Sequence, residues 1–244
     1  MKAMILAAGK GSRLSSLRKK LPKVLFPVCG MPILEHNLRY LRKQGVRQVA
    51  INLHDHADQI SDFLRKRRVQ GLEIRLNYET ELLGTAGALL PFADFFHKSD
   101  FFVLYGDNLV DFKLRPFAKE HRVSRSVMTL GVFRPEETLF SGIAAGAVYC
   151  RQDNRVSSFC EKRGRRQTTE GSWVNAGAMM CSPEILNEIP RGVASDFARD
   201  LYPNLLGKKK RLSIYQGASY VLASDTPESW KRTCRIANQW MRSL

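Results

Sequence analysis

The sequence is poor in cysteine and has no long apolar segment. Its 244 residues include five cysteines, and no two are spaced as Cys-x-x-Cys. This number and spacing support neither a zinc site nor a disulfide framework, so we expect reduced thiols. Apolar runs such as Met4–Ala8 are far shorter than the roughly 20 residues that cross a bilayer. Because the N-terminus also lacks a signal-peptide pattern, we expect a cytoplasmic protein without membrane insertion.

Acidic residues are also scarce, and the net charge is +16. Residues 1–50 contain eleven Lys or Arg and a single acid, Glu35. Such a field attracts anions, whether phosphates, nucleic acids or anionic lipids, although a merely solvated basic surface would have the same composition. No helix-turn-helix, RRM or zinc-finger pattern is present, so specific nucleic-acid binding is the weaker interpretation.

Apolar strands alternate with amphipathic helices in the first half of the chain. Predicted strands are Lys2–Ala8, Val49–Leu53, Leu72–Tyr78 and Phe101–Tyr105. Predicted helices are Met31–Gln44, Asp58–Arg68 and Thr85–Phe96, the last disturbed by Pro91. This order predicts an α/β fold with a parallel sheet between helices, and ligands in such sheets bind beyond the carboxyl ends of the strands. Two loops fall there, Ala8–Arg13 and Gly106–Asn108.

The second half changes to a pattern rich in strands. Predicted strands are Ser126–Phe133, Ala144–Cys150, Arg155–Cys160 and Trp173–Met180. Predicted helices begin at Ser182-Pro183, cover Asp196–Leu206 and cover Pro227–Met241. No linker-like segment divides the chain, so we expect one domain over residues 1–244, with a Rossmann-like three-layer architecture and a mixed, mainly parallel sheet.

Two segments near the N-terminus have the composition of a phosphate site. After the first strand, Gly9-Lys10-Gly11-Ser12-Arg13 combines small residues, which let backbone N–H groups approach a polyphosphate, with a cation. The third glycine of the dinucleotide fingerprint is missing and no Walker A pattern is present, so a plain structural turn is the alternative. Further on, Pro22 and Pro27 should hold their segment extended and present Lys23. A lysine presented in this way can reach a phosphate, and such charge-assisted hydrogen bonds contribute about 1.5–3 kcal/mol each.

Together these segments resemble the opening of the sugar-1-phosphate nucleotidyltransferase family, which has a strand, a G-x-G-x-R-L loop and P-K-x-x-x-P-V-x-G-x-P. The matching positions are Gly9, Gly11, Arg13, Leu14, Pro22, Lys23, Pro27, Val28, Gly30 and Pro32. Later segments match in order: Glu79–Leu89, Leu104–Asp107, Glu161-Lys162, Asn175–Gly177 and Ser219–Trp230. The resemblance covers nearly the whole chain, and its LGTAGAL segment is most similar to mannose- or heptose-1-phosphate guanylyltransferases.

The resemblance implies a reaction and a set of residues. A nucleoside triphosphate and a sugar 1-phosphate would give a nucleotide sugar, as used in polysaccharide biosynthesis, and pyrophosphate. The catalytic residues would be Arg13 on the leaving phosphates, Lys23 on the α-phosphate and Asp107 on Mg²⁺. Residues 1–110 would form the nucleotide-binding half, with contacts from Leu6, Ala8, Gly9, Gly11, Gly84 and Thr85. Residues 111–244 would form the sugar-phosphate half, with contacts from Gly142, Glu161, Lys162 and Asn175.

Several alternatives stay open at this stage. Uridylyl-, thymidylyl- and cytidylyltransferases use similar segments, and homo-oligomerisation is not decided. Thr85 is also a good helix N-cap. The family's closing Trp-x-Asp-x-Gly-Thr-Pro-Glu has Ala223 here at its metal-binding Asp and Asp225 at its Gly. In an extended segment, Asp225 lies about 6–7 Å beyond Ala223, so only a local bend returns it to the ion. We therefore expect an unusually high metal requirement, or a catalytically silent nucleotide-sugar-binding homologue.

Overall fold

The chain is described here by a computed structural model that covers residues 1–9, 11, 14, 21–67, 69–142, 146–161 and 172–241. Its first half builds parallel strands with helices between them. These elements are β1 (Lys2–Leu6), β2 (Pro27–Val28), β3 (Met31–Pro32), α1 (Ile33–Lys43), β4 (Gln48–Leu53), α2 (Ala57–Lys66), β5 (Glu73–Tyr78), α3 (Gly84–Gly87), α4 (Ala93–Phe96) and β6 (Phe101–Tyr105).

The second half adds strands that pair mostly antiparallel and, within the described residues, three α-helices. They are β7 (Asn108–Val110), α5 (Leu114–Val123), β8 (Met128–Phe133), β9 (Leu139–Phe140), β10 (Ala147–Cys150), β11 (Val156–Cys160), β12 (Trp173–Cys181), α6 (Tyr202–Gly207), β13 (Leu212–Tyr215), β14 (Tyr220–Ala223) and α7 (Pro227–Met241). No helix in the described ranges combines the length and apolar composition needed to cross a membrane.

The main sheet is mixed, as the sequence predicts. Its order is β11-β10-β12-β6-β1-β4-β5, and β8 joins β12 and carries β13 at its other edge. β1 is parallel to both β4 and β6, whereas β12 runs antiparallel to β6, β8 and β10. A smaller sheet, β7-β14-β9, lies apart from it. Because β1 has neighbours on both sides, its carboxyl end lies between the ends of β4 and β6.

Helices cover both faces of the main sheet. Side chains of a strand alternate between faces, so Ala3 and Ile5 pack with Leu38 of α1, whereas Met4 packs with Phe96 of α4. All five side chains are fully buried. This double burial explains why β1 has a continuous apolar run rather than an alternating pattern, as is usual for parallel strands covered on both faces.

The helices predicted from the sequence need correction at several points. Helix α1 begins at Ile33 rather than Met31, because Met31 and Pro32 pair with β2. The predicted helix Thr85–Phe96 is divided into α3, a 3-10 turn at Leu90–Phe92 and α4, which is the disturbance expected around Pro91. Helix α5 was not predicted, although its buried residues follow helical spacing.

The inner face of α5 contains a buried histidine. His121 is 1% exposed, and its ring nitrogens lie 2.8 Å from Thr129 Oγ1 and 3.0 Å from Ser182 Oγ. Burial lowers its pKa, and the charge of Arg122 acts in the same direction, while Asp100 opposes them from 3.9 Å. The fold therefore contains the neutral imidazole.

We expect this histidine to make stability depend on pH. Its folded-state pKa lies below the ordinary 6.5, so the unfolded chain binds the extra proton first as the pH falls. The stability that neutral His121 contributes is complete above pH 6.5 and is lost progressively below it. Urea unfolding between pH 5 and 8 measures this loss. His121→Gln should reduce the pH dependence and exposed His97→Gln should leave it intact; the reverse pattern would contradict the assignment.

Candidate active site

A cavity of about 230 Å³ opens at the carboxyl ends of the parallel strands. The described lining consists of Leu6, Ala7, Ala8, Gly9, Lys23, Val24, Asn52, Glu79, Leu82, Gly84, Thr85, Tyr105, Asp107 and Asp196. The cavity thus lies at the carboxyl ends of β1, β4, β5 and β6, which is where α/β sheets bind ligands.

The polar centre of the cavity is one lysine between two carboxylates. Lys23 Nζ donates hydrogen bonds to Asp107 Oδ2 and to Asp225 Oδ1. The side chains are 11%, 22% and 17% exposed, respectively, so water screens the three charges only partly. Burial favours neutral Lys23, yet the two carboxylates outweigh it and raise the lysine's pKa. Burial likewise opposes ionised Asp107, but the ammonium lowers its pKa.

The segment before β2 positions Lys23, though not as predicted. Pro22 is extended, with φ −63° and ψ 144°, but Lys23–Leu25 forms a single 3-10 turn instead of continuing in extended conformation. Val24 and Leu25 are buried, and this anchors the turn under the cavity. The prediction of a fully extended segment is therefore wrong, while the defined origin of Lys23 is retained.

Strand pairing brings Asp225 to Asp107. Strand β7 begins just after Asp107 and pairs antiparallel with β14, so that Asn108 lies opposite Ala223. The chain leaves β14 at Ala223, and the Ser224 N–H donates to the Asp107 carbonyl oxygen at 3.2 Å. A bend then leads into α7, whose first turn is fixed by Ser229 N–H donating to Thr226 Oγ1 at 3.2 Å. This is the local bend that the sequence alone left undecided.

A second polar pair lines the wall between β4 and β5. Asn52 donates from Nδ2 to Glu79 Oε1 at 2.7 Å and accepts from the Ala7 N–H at Oδ1, at 2.9 Å. The other oxygen of Glu79 accepts from the Leu83 N–H at 3.0 Å. Each oxygen keeps a second lone pair, and a carboxylate offers no donor, so Glu79 presents only acceptors to the cavity.

The opposite wall is built by Gly84 and Thr85 against residues 195–197. Gly84 has φ +76°, and a Cβ there would stand 2.4 Å from the Ser195 carbonyl oxygen. Thr85 donates from both its N–H and its hydroxyl to Asp196 Oδ1, at 3.0 and 3.2 Å, and accepts from the Phe197 N–H. Thr85 lies within α3 and does not cap it, so the N-cap interpretation is wrong.

The segment that follows Asp196 is a single π-helical turn, Phe197–Leu201. Such turns in short pieces are frequent at functional sites. Its Arg199 is held by Asp196 and Asp200, at 2.9 and 3.2 Å, and also experiences the charge of Glu161. The predicted helix Asp196–Leu206 is therefore a π-turn continued by α6.

Among the predicted sugar-phosphate residues, Glu161 and Asn175 belong to the β11 and β12 side of the main sheet, whereas Gly142 follows β9 of the smaller sheet. Asn175, in β12, is buried and accepts the Gly177 N–H at 3.1 Å. Glu161 follows β11 and is exposed, and its charge acts on Tyr105 of the cavity wall. Gly142 has φ +87° and approaches the guanidinium of Arg232, so that a Cβ there would lie 3.0 Å from it.

The predicted residues thus divide into three groups. Leu6, Ala8, Gly9, Lys23, Gly84, Thr85 and Asp107 share the cavity. Gly11, Gly142, Glu161, Asn175 and Asp225 are described but are not part of its lining, although Asp225 accepts a hydrogen bond from Lys23. Arg13 and Lys162 lie outside the described residues. Asn52 and Asp196 were not predicted; Asn52 could have been noticed as an amide inside an apolar strand, whereas Asp196 gives no local signal.

The donor set suits a hard divalent cation. Asp107 and Asp225 lie close enough to share one ammonium, and Mg²⁺ is usually held by one or two carboxylates together with substrate phosphates. Within the described ranges, no cluster of three or more His, Cys, Asp and Glu side chains could hold a metal. The two carboxylates thus fit a Mg²⁺ ion whose other ligands are substrate phosphates and water.

Comparison with known proteins agrees with this geometry. The family described as Nucleotidyl transferase matches residues 2–235. A UTP–glucose-1-phosphate uridylyltransferase of Synechocystis is 31% identical over 100% of this chain and 65% of its own length. A mannose-1-phosphate guanylyltransferase catalytic subunit beta of Danio rerio is 33% identical over 78% of this chain and 52% of its own. This chain therefore spans about half to two thirds of those relatives.

Two further proteins match over nearly their whole length. A D-glycero-alpha-D-manno-heptose 1-phosphate guanylyltransferase of Campylobacter jejuni is 28% identical, over 94% of this chain and 97% of its own. The crystal structure of HddC from Yersinia pseudotuberculosis complexed with GMP-PN superposes with a TM-score of 0.80 at 25% identity, covering 96% and 98% of the two chains. The fold predicted from the sequence is confirmed.

Proposed function

Because the chain belongs to the nucleotidyl transferase family, we propose that it joins a nucleoside triphosphate to a sugar 1-phosphate. An oxygen of the sugar phosphate attacks the α-phosphorus, the bond to the β-phosphate oxygen breaks, and pyrophosphate leaves. The observation that carries this proposal is the Lys23 ammonium between Asp107 and Asp225, beside the loop after β1. This group of three side chains supplies a positive charge for the phosphates and negative charges for a metal ion, and the transfer requires both.

The protein contributes positioning and charge rather than a covalent nucleophile. Lys23 would hold an α-phosphate oxygen as negative charge develops there, which is the usual form of electrostatic stabilisation. Arg13 would bind the leaving β- and γ-phosphates, and Lys162 the incoming sugar phosphate. Asp107 and Asp225 would hold Mg²⁺, which supplies Lewis-acid stabilisation of phosphate oxygens.

We further propose contacts for the sugar and the base. Glu161, Asn175 and Gly142 would contact the sugar, since all three come from the second half of the chain and lie outside the lining of the nucleotide cavity. The triphosphate would be contacted by Leu6, Ala8, Gly9 and Gly11, and the base would lie beside Gly84 and Thr85. The N–H and hydroxyl of Thr85 already bond to Asp196, so they shape the wall rather than serve as free donors to the base.

Guanine is the base that suits this wall best. Glu79 presents only acceptors to the cavity, and guanine has adjacent donors, N1–H and the N2 amine, on one edge. The guanylyltransferase relatives and the GMP-PN complex support the same choice. We therefore propose GTP with mannose 1-phosphate or heptose 1-phosphate. The Synechocystis relative makes UTP with glucose 1-phosphate the alternative.

Turnover tests the proposed reaction directly. Four nucleoside triphosphates are screened against mannose, heptose and glucose 1-phosphates, with Mg²⁺ and a pyrophosphate-release readout. We expect one pair to be preferred and Asp107→Asn to abolish its turnover. If no pair reacts while nucleotide still binds, the protein is a catalytically silent homologue instead.

Removing the negative charge of Glu79 should weaken the preference for guanine. Charge-assisted hydrogen bonds contribute about 1.5–3 kcal/mol, so Glu79→Gln should lower kcat/KM for GTP about 10- to 100-fold. The loss should be smaller for ITP, which lacks the N2 amine. Glu81→Gln, two residues away on the exposed surface, is the matched control. An unchanged GTP to ITP ratio in Glu79→Gln would remove Glu79 from base recognition.

A further inference from the structure

We infer that Lys23 is a tethered counter-ion that competes with the divalent metal for Asp107 and Asp225 until a nucleotide draws it away. This inference rests on the proposed function, because it concerns the same metal and the same nucleotide. It adds a role for Lys23 before any phosphate is bound. It also makes metal binding and nucleotide binding mutually dependent.

The geometry places the ammonium where a cation between the carboxylates would stand. Lys23 Nζ donates to one oxygen of Asp107 and one oxygen of Asp225. Lys23 lies in a turn that is far from both carboxylates in the sequence. The lysine side chain is only 11% exposed, so its charge is held in place rather than dispersed in solvent. Asp107 and Asp225 would otherwise repel each other across a partly dry site.

A free divalent ion must therefore displace the lysine to bind both carboxylates. Moving Lys23 away breaks both of its hydrogen bonds and leaves its ammonium in a poorly solvated site, which opposes metal binding. The two positive charges also repel each other if both remain. In the absence of nucleotide, the wild-type protein should bind metal weakly, even though its two carboxylates are well placed.

A bound triphosphate reverses this balance. The cavity that Lys23 lines also contains the loop Ala7–Gly9, where phosphate oxygens would lie. Those oxygens offer Lys23 a new acceptor, so the lysine can leave the carboxylates as the metal enters. Nucleotide then strengthens metal binding, and by linkage metal strengthens nucleotide binding by the same factor.

The test measures binding of free Mn²⁺ by electron paramagnetic resonance, without any nucleotide. Removing one positive charge from a partly buried site beside a dication should strengthen binding by at least about tenfold. We expect this for Lys23→Met and also for Lys23→Gln. The glutamine variant serves if the methionine variant does not fold, because its amide can still donate to the carboxylates. Lys43→Met removes an exposed lysine of α1 and should not change the affinity.

For the affinity of the nucleotide, we expect the opposite change. Both Lys23 variants should bind triphosphate more weakly than wild type while they bind free Mn²⁺ more tightly. Equal or weaker Mn²⁺ binding by Lys23→Gln would overturn the inference. The outcome is separate from that of the proposed function, which fails if wild type transfers no nucleotide, because Mn²⁺ binding is measured without turnover.

Discussion

Gly84→Ala should destabilise the protein strongly and weaken its nucleotide site. The backbone at Gly84 has φ +76°, and a Cβ there would stand 2.4 Å from the Ser195 carbonyl oxygen and 2.9 Å from its nitrogen. Both are backbone atoms, and Ser195 O also accepts the Ala86 and Gly87 N–H groups, so neither can move freely. Left-handed strain of about 1–2 kcal/mol and overpacking of about 1–3 kcal/mol together predict a loss of roughly 2–5 kcal/mol.

A second glycine separates strain from the clash. Gly45, after α1, has φ +87°, but apart from its chain neighbours no atom of the described residues lies within 4 Å of the position that a Cβ would take, so Gly45→Ala should cost only about 1–2 kcal/mol. Thermal unfolding measures both variants. For a chain of this size, roughly 2–4 °C are lost per kcal/mol, which predicts a decrease of roughly 4–20 °C for Gly84→Ala. Equal decreases for the two variants would show that the contact with Ser195 is not tight.

The same contact changes the interpretation of the LGTAGAL segment. The family resemblance implies that Gly84 contacts the nucleotide. In the structure, its missing side chain admits Ser195, whose N–H in turn donates to the Leu83 carbonyl oxygen at 2.8 Å. Gly84 therefore joins the cavity wall to residues 195–197. Such a pairing of distant segments has no local signature, and this is why Asp196 could not be predicted.

Local patterns predicted the parallel strands in the first half of the chain, although not the short strands β2 and β3. Apolar runs gave the parallel strands, and placing loops at their carboxyl ends predicted the neighbourhood of Gly9 and Asp107. Helix α5 was missed although Leu114, Phe117, Ala118 and His121 follow i, i+3, i+4, i+7 spacing and are buried. A histidine on an otherwise apolar face hides that pattern. Its partners, Thr129 and Ser182, are identified only by the tertiary structure.

The position of Asp225 depended on strand register rather than on sequence distance. Counting along an extended chain separates Asp225 from the family's carboxylate position by two residues. Pairing of Ala223 with Asn108 places the end of β14 beside Asp107, and the bend after Ala223 then lets Lys23 bond to both carboxylates. Neither the register nor the bend can be derived from residue types alone, so the sequence left this site open.

Asp225→Ala should therefore cause a large loss of activity and raise the metal requirement. If Asp225 is the second metal carboxylate, removing it takes away a charged oxygen ligand, and electrostatic groups of this kind are worth about 10²–10³ in kcat. The Mg²⁺ concentration at half-maximal rate should rise as well. Asp62→Ala, which removes an exposed carboxylate of α2, should change neither quantity. Unchanged metal dependence in Asp225→Ala would show that the carboxylate serves only as a partner of Lys23.

A double variant tests whether the carboxylate can return to the family's position. Ala223 is fully buried, and its N–H and carbonyl are held by Ser141 and Thr233, at 2.7 and 2.8 Å. Ala223→Asp alone would bury an additional carboxylate, so we expect little gain from it. Combined with Asp225→Gly, however, the same substitution should recover at least about tenfold of the activity that Asp225→Gly loses. Recovery would show that the two positions can supply the same ligand. If the double variant is as inactive as Asp225→Gly, the register of β14 allows the ligand carboxylate only at position 225.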